Sequence, residues 1–422
     1  MLHCFDSDIK IRAIQGVLPA YSVPASEQLK AEGVAPQEIE QYIRAFGYQN
    51  CRFLLPPATL GDMMISALRD FMRNEQLKPQ DIDALINVTQ TPDYIAPCNS
   101  FFYHQQLDLP HSCMCLDLYG TCSGVFNALY TAATMLQSST CHRVLIVVGD
   151  CFRFSQIFDF DEPAHLFSDG GGILLVEKSS SVHSANLTAA TNTAHKALPL
   201  SLELQSYSAV YGLFVNRIYS TRQPSSNMIR SSAPRVPEAC APLSSAIESS
   251  QVLIKDEQDY SLQKKQLFKT PYTIQKFILR SLQDLLHSTG LQLSDVGCGV
   301  LYQMHKVTIE QMTVMMNNIV RQRQRQQQAP TPAPATNSNP PKADLWANFD
   351  VERPDFFPFV AEDVGHQASA SIPISLSMAK ERFPDLQQKP IFLSAFGLGL
   401  SITSALIDLS ATNIYPLYTF EQ

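Results

Sequence analysis

The stretch YGTCSG, residues 119–124, sets one thiol on a tight corner. A strand-like run from Met114 to Tyr119 stops at Gly120, and a helix-like run from Val125 to Leu136 follows at once. A thiol at the start of a helix faces backbone N–H groups that lack intrahelical partners and the positive end of the helix dipole. Both favour thiolate over thiol, so the pattern predicts a lowered pKa and a nucleophile at Cys122. Gly120 and Gly124 let the chain turn sharply and let a substrate approach the backbone. The N–H of Cys122 could itself stabilise an oxyanion. The same local pattern fits equally a small buried residue at a helix start, because free cysteines are commonly buried.

The elements that must hold this corner alternate along the chain. VLIVVGD (144–150), ALINVTQT (84–91), GILLVEK (172–178), GVLYQMH (299–305) and IFLSAFG (391–397) are short apolar runs that read as strands. Between them lie helical stretches such as LGDMMISALRDFMRNEQ (60–76), where Met64, Leu68, Phe71 and Met72 fall at helical spacing. Strands alternating with helices argue for an α/β fold. Residues 66–91 also overlay residues 280–305 without gaps, bringing Leu68 onto Leu282, Leu77 onto Leu291 and Asp81 onto Asp295. Both copies read helix, short turn, strand, which points to a duplicated half. The expected division is an N-terminal half over 1–180, a loop-rich connection over 181–262 and a C-terminal half over 263–422. The Gln- and Pro-rich stretch at 321–342, RQRQRQQQAPTPAPATNSNPPK, is expected to be a disordered surface insertion.

Composition narrows the class. With 45% hydrophobic and 17% charged residues, the 422-residue chain is globular. Its 31 basic against 39 acidic side chains give a net charge of −8, which offers no support for broad nucleic-acid binding. Ten cysteines are scattered without a CxxC pair, and the opening MLHCFDSDIKIRAIQG has no apolar core of a leader. The expectation is reduced thiols in a cytoplasmic protein. No apolar run approaches the ~20 residues of a membrane span.

LDLYGTCSGVFNALYTAATML (116–136) resembles the active-site segment of the β-ketoacyl-acyl-carrier-protein synthase III family, condensing enzymes of the thiolase superfamily. Further segments follow in that family's order: FSDGGGILLVE (167–177), LYQMHKVTIEQM (301–312), VGHQASASIPISL (364–376) and AFGLGLSITSALI (395–407). The resemblance implies a five-layered αβαβα thiolase fold built from two duplicated halves, and a dimer with itself or with a related subunit. It implies Cys122 as nucleophile toward an acyl thioester, with His305 and His366 as its catalytic partners. The backbone N–H groups of Cys122 and Leu398 would form the oxyanion hole. Ala96 would face the partner protomer's acyl pocket. The acyl donor would arrive on coenzyme A or an acyl carrier protein, and the acceptor would be a malonyl-type thioester joined by decarboxylative condensation. No cofactor and no metal is implied.

The chain departs from the family at three places. His366 stands where initiating synthases of this type carry Asn, giving a Cys-His-His set similar to that of the elongating synthases. QYIRAFGYQNCR (41–52) lacks the tryptophan that many relatives stack on the adenine of coenzyme A; the only tryptophan is Trp346. AFGLGL replaces a run of glycines. These departures favour a carrier-bound donor at least as much as coenzyme A, with Arg44 and Arg52 as candidate docking cations. They also leave open simple acyl transfer onto another nucleophile, or a non-catalytic partner subunit.

Overall fold

A computed structural model describes residues 2–152, 166–178, 198–206, 270–328, 349, 353, 355–397 and 401–421. Along the chain run β1 (Leu2–Cys4), β2 (Ile9–Pro19), β3 (Ser22–Pro24), α1 (Ala25–Ala31), α2 (Pro36–Phe46), β4 (Asn50–Arg52), α3 (Leu60–Asn74), β5 (Ala84–Thr89), α4 (Asn99–Gln106), β6 (Met114–Tyr119), α5 (Gly124–Leu136), β7 (Arg143–Asp150) and β8 (Gly170–Lys178). After them come β9 (Ser201–Ser206), α6 (Thr270–Thr289), β10 (Cys298–Leu301), α7 (Lys306–Gln328), α8 (Ser371–Arg382), β11 (Ile391–Gly397), β12 (Ser401–Ile407), β13 (Asn413–Ile414) and β14 (Tyr418–Phe420).

Two sheets carry the fold. One has the order β13-β2-β8-β7-β5-β6, with β14 also on β2; the other has the order β1-β9-β12-β11-β10. In the first, β5 is parallel to β7, β7 antiparallel to β8, and β8 antiparallel to β2. In the second, β10 is parallel to β11, β11 antiparallel to β12, and β12 antiparallel to β9. Order and direction therefore repeat strand for strand. The β6 position is mirrored by Phe356, whose carbonyl accepts the Gly299 N–H beside β10 at 2.7 Å. The turns repeat too: Lys78 N–H donates to Asp81 Oδ2 and Gln292 N–H donates to Asp295 Oδ2, each at 2.8 Å. These are the aspartates that overlay in the two sequence copies.

Helices α5 and α8 lie between the sheets, α5 touching β5, β7 and β12 and α8 touching β2, β8 and β10. Their sequences explain the placement. In α5 eight residues from Gly124 to Leu136 are buried, and in α8 Ile372, Ile374, Leu376 and Ala379 are buried along with the small Ser371, Ser375 and Ser377. A helix apolar on all sides, or carrying only small polar groups, belongs in the interior. Helices α3 and α6 cover the outer faces against β2 and β8 and against β9 and β12. Helix α3 is amphipathic and starts at a capping box: the Thr59 side chain accepts the Asp62 N–H at 3.2 Å, and the Asp62 carboxylate accepts the Thr59 N–H at 2.9 Å. The layers read α, β, α, β, α, as the resemblance implies.

The chain ends cross between the halves. β1 pairs with β9 in the sheet of the C-terminal half, while β13 and β14 pair with β2 in the sheet of the N-terminal half. Boundaries drawn at 180 and 263 therefore do not separate the sheets. The connection expected over 181–262 contains a strand, β9, that sits inside the second sheet. Helix α7 continues to Gln328, so residues 321–328 of the expected disordered insertion are helical; 329–342 lie outside the described residues. Trp346 lies outside them as well. Among the described residues no helix is long and apolar enough to cross a membrane.

Candidate active site

The cysteine corner forms because β6 must pass into α5 with almost no connecting chain. A Cβ at Gly120 would lie 2.7 Å from the Gly124 Cα, and one at Gly124 would lie 2.7 Å from a Val88 methyl. The two glycines thus let strand, turn and helix close on each other. The Gly124 N–H donates to Thr121 O at 2.7 Å and the Phe126 N–H to Ser123 O at 3.1 Å. The second half of the chain abuts this corner. Ser123 and Ser401 hydroxyls share a hydrogen bond of 2.8 Å, and a Cβ at Gly397 would stand 2.1 Å from Thr121 Oγ1.

Cys122 is partly buried, and burial pushes its thiol up to about 12. A hydrogen bond from Tyr302 opposes the shift, and the charge of Asp150 adds to it. This reverses the expected lowering. The reason is visible in the turn: the first helical N–H groups are already bonded to Thr121 and Ser123, so desolvation outweighs what the helix end offers.

Tyr302 is the side chain of its segment that meets the thiol. It is the first residue after β10, is buried, shares a hydrogen bond with His366 Nε2, and has its hydroxyl close enough to Cys122 to influence the thiol. Its backbone N–H donates to Ser394 O at 2.8 Å, which locks the strand end against β11. Its ring stands edge-on to Phe396, with centroids 5.2 Å apart. Burial, together with the neighbouring Cys122, Tyr48 and Asp150, holds the Tyr302 hydroxyl well above the ordinary phenol range.

His366 is buried and pinned by backbone bonds, its N–H donating to Leu166 O at 3.0 Å and its carbonyl accepting the Ser168 N–H at 2.9 Å. Gly365 before it has φ +71, and a Cβ there would lie 2.1 Å from Ser168 Oγ. The position therefore takes glycine for both conformation and space. The His366 ring lies over Phe167 at 4.5 Å, and Phe167 stacks on Phe152 at 4.3 Å. Phe152, Phe167, Phe396 and Tyr302 make this side of the site aromatic.

Behind the site, the buried Asp150 at the end of β7 binds the two halves. Its carboxylate accepts the Gln90 N–H at 2.7 Å, Gln90 Nε2 at 3.1 Å, the Ser369 N–H at 3.1 Å, Ser369 Oγ at 2.5 Å and Thr89 Oγ1 at 3.2 Å. Burial still raises its pKa against those bonds.

The remaining expected residues fall in different places. His305 sits immediately before α7, its ring edge-on to Phe46 at 4.4 Å. The turn that carries it is fixed by the buried Tyr48, whose hydroxyl donates to the carbonyls of Gln303 and Met304. Of the three residues expected to act together, Cys122 and His366 lie on either side of Tyr302, and His305 packs against Phe46. Ala96 lies on an exposed loop beside Ile95, which is 96% exposed. Leu398 is outside the described residues. The Arg52 guanidinium donates to the carbonyls of Ala20 and Asp363 at 3.1 and 3.2 Å, whereas Arg44 is exposed beside Glu40. Sequence reasoning missed Tyr302 because it extended the strand over 299–305. The strand ends at Leu301, so the next residue, and not the one four positions on, emerges at the site. Asp150 was legible only as the end of an apolar run.

Two central helices between paired, repeated sheets, with a cysteine at the start of one helix, define a thiolase-type architecture. Residues 116–194, which include the cysteine corner, match the family model of 3-oxoacyl-[acyl-carrier-protein] synthase III. The fold is similar to that of 3-oxoacyl-(acyl-carrier-protein) synthase from Burkholderia xenovorans, at 19% identity and TM-score 0.66, covering 100% of this chain and 99% of that one. It is also similar to OleA from Xanthomonas campestris, at 14% identity and TM-score 0.62, covering 96% and 99%. The priming β-ketosynthase of a polyketide pathway matches at 18% identity and TM-score 0.62, covering 94% and 96%. These likenesses extend over nearly the whole chain and show a shared fold.

Proposed function

We propose that the protein is an acyl-transferring condensing enzyme. Cys122 takes an acyl group from a thioester and passes it to a second substrate. The observation that carries this reading is the convergence of both halves of the fold beside one thiol, with Tyr302 of the second half next to Cys122 of the first and His366 bonded to Tyr302. A thiolate suits the task because the acyl-enzyme thioester is stable enough to wait and reactive enough to transfer. The backbone N–H of Cys122, with that of Leu398, would receive the developing oxyanion. His305 would orient the second thioester. The acceptor would be a malonyl-type thioester that loses carbon dioxide and attacks the acyl group, in fatty-acid-like or secondary-metabolite synthesis. The donor would be carried by coenzyme A or an acyl carrier protein, with Arg44 available at the surface for an acidic carrier. A cytoplasmic setting suits the nine free cysteines among the described residues.

The sheet edge supports the reading of a dimer. β6 has no further strand beside it among the described residues. Around it stand Met114 at 54% exposure, Tyr119 at 70%, Phe101 at 55% and Ile95 at 96%. An open apolar edge of this kind is suited to pairing with a second copy, and Ala96 lies within it.

A second reading, a non-catalytic partner subunit, is favoured by one observation: burial holds the Cys122 thiol near 12. Intact-protein mass spectrometry with a panel of acyl-coenzyme A and acyl-carrier-protein donors separates the two. One acyl mass added to the wild type and absent in Cys122→Ala supports the enzyme. No adduct with any donor supports the partner subunit.

A further inference from the structure

Resting on the reading of Cys122 as the acyl acceptor, we infer that Tyr302 is a catalytic proton carrier that couples the Cys122 thiol to His366, its base. Three features carry this. The thiol is a poor acid where it stands, so attack needs a base acting during the step rather than a standing thiolate. The Tyr302 hydroxyl stands next to the thiol on one side and is bonded to an imidazole nitrogen on the other. The Tyr302 ring is also buried against the Phe396 ring, and its backbone N–H is held by the Ser394 carbonyl, so the hydroxyl stands in one place to serve both.

The step balances without an added reagent. The Tyr302 O–H that faces the thiol at rest turns about its C–O bond to donate to His366 Nε2, with the neutral imidazole accepting there, and the Cys122 S–H then donates to Tyr302 Oη. As Sγ attacks the thioester carbonyl carbon, the thiol proton passes to Tyr302 and the phenol proton passes to His366. When the tetrahedral adduct collapses, the bond to the leaving thiol breaks, and the same proton returns through Tyr302 to that sulfur. Cys122 is acylated and a free thiol is released. In this relay His366 acts through Tyr302, which is a different office from the amide found at that place in initiating synthases. The other titratable groups facing the pair are Asp150, whose charge opposes thiolate formation, and Tyr48, which remains protonated in its buried site.

The test follows Cys122 alkylation by iodoacetamide against pH, quantified on the Cys122 peptide by mass spectrometry. Acyl loading from the N-acetylcysteamine thioesters of acetate and octanoate is measured alongside. With the relay, the wild-type rate levels off at a pH where the imidazole is neutral and the thiol is still protonated. Tyr302→Phe should lower alkylation and loading at pH 7.5 by roughly 10- to 100-fold, the range of one lost hydrogen bond to a charged group, and should replace the plateau by a rate that climbs about tenfold per pH unit. His366→Gln should give the same profile, and the double variant no further loss. Unchanged rates and a retained plateau in folded Tyr302→Phe would overturn the relay. So would additive losses in the double variant. If Tyr302→Phe fails to fold, the plateau in His366→Gln decides: its persistence refutes the relay. Failure of the underlying reading looks different, because loading would then be absent from the wild type or unchanged in Cys122→Ala.

Discussion

Replacing Asp150 by Asn should make the protein less stable and its cysteine more reactive. The carboxylate is buried and accepts bonds from Gln90, Ser369 and Thr89 on both oxygens. Asn keeps one acceptor and presents an NH2 at the other place. If that NH2 faces Ser369, the hydroxyl can rotate to accept and the Gln90 amide can flip, but the Ser369 N–H is left without an acceptor. If it faces Gln90, the Gln90 N–H is the orphan. Either way one buried donor is stranded, which costs about 1–3 kcal/mol, and the remaining bonds lose their charge assistance. Relief of the buried charge offsets part of this. The net expectation is a loss of about 2 kcal/mol, read as a melting temperature lower by about 2 °C in a chain of 422 residues. The charge of Asp150 raises the Cys122 thiol, so its removal should lower the thiol pKa and speed iodoacetamide labelling at pH 7.5. The opposed signs are diagnostic. A folded variant with unchanged stability, or with slower labelling, would refute the account of Asp150 as both clamp and electrostatic brake.

Gly365→Ala should displace His366, because a Cβ there meets Ser168 Oγ at φ +71; a loss of about 1–3 kcal/mol is expected, with a fall in acyl loading that exceeds the loss of folded protein. Glu75→Ala should loosen residues 413–415, since the buried carboxylate accepts bonds from Arg12, Asn413 and Tyr415; limited proteolysis should then cut the C-terminal segment first. Burial, followed by the Glu75 hydrogen bond and charge, raises the Tyr415 hydroxyl to about 12. The folded state therefore holds that proton more tightly than the unfolded state. Stability should be intact below pH 10 and fall as pH rises from 10 toward 12, and Tyr415→Phe should flatten that part of the pH–stability curve. Light scattering should give twice the chain mass for the wild type and the monomer mass for a Phe101→Lys/Met114→Lys variant; an unchanged dimer would place the interface elsewhere.

Much of the fold was legible in the sequence because apolar runs bounded by turn residues leave little choice. IFLSAFG and MCLDLY coincide with β11 and β6, and VLIVVGD falls one residue short of β7. The repeat was legible because Asp81 and Asp295 serve the same turn in each copy. The site was legible where a residue follows directly from an element boundary, as Cys122 does. It was not legible at Tyr302, where β10 ends four residues sooner than the expected run 299–305. Nor could local sequence foresee the rise in the Cys122 pKa. That rise comes from packing between distant segments, and a helix start seen alone indicates the opposite. The crossing of the chain ends was equally hidden, since short edge strands such as Leu2–Cys4 and Asn413–Ile414 carry almost no pattern of their own.

That crossing bears on how the molecule comes into being. The sheet of the first half can form its inner strands early in synthesis, yet the strands that flank β2 arrive with residues 413–420. Meanwhile the earliest residues, 2–4, wait for β9. Contacts spanning nearly the full chain must close last and slowly. The two ancestral copies are thus tied at both ends like a parcel, and neither could leave the ribosome as a finished, independent unit. A chain stalled or clipped near residue 410 would expose the bare edge of the half that had been made first.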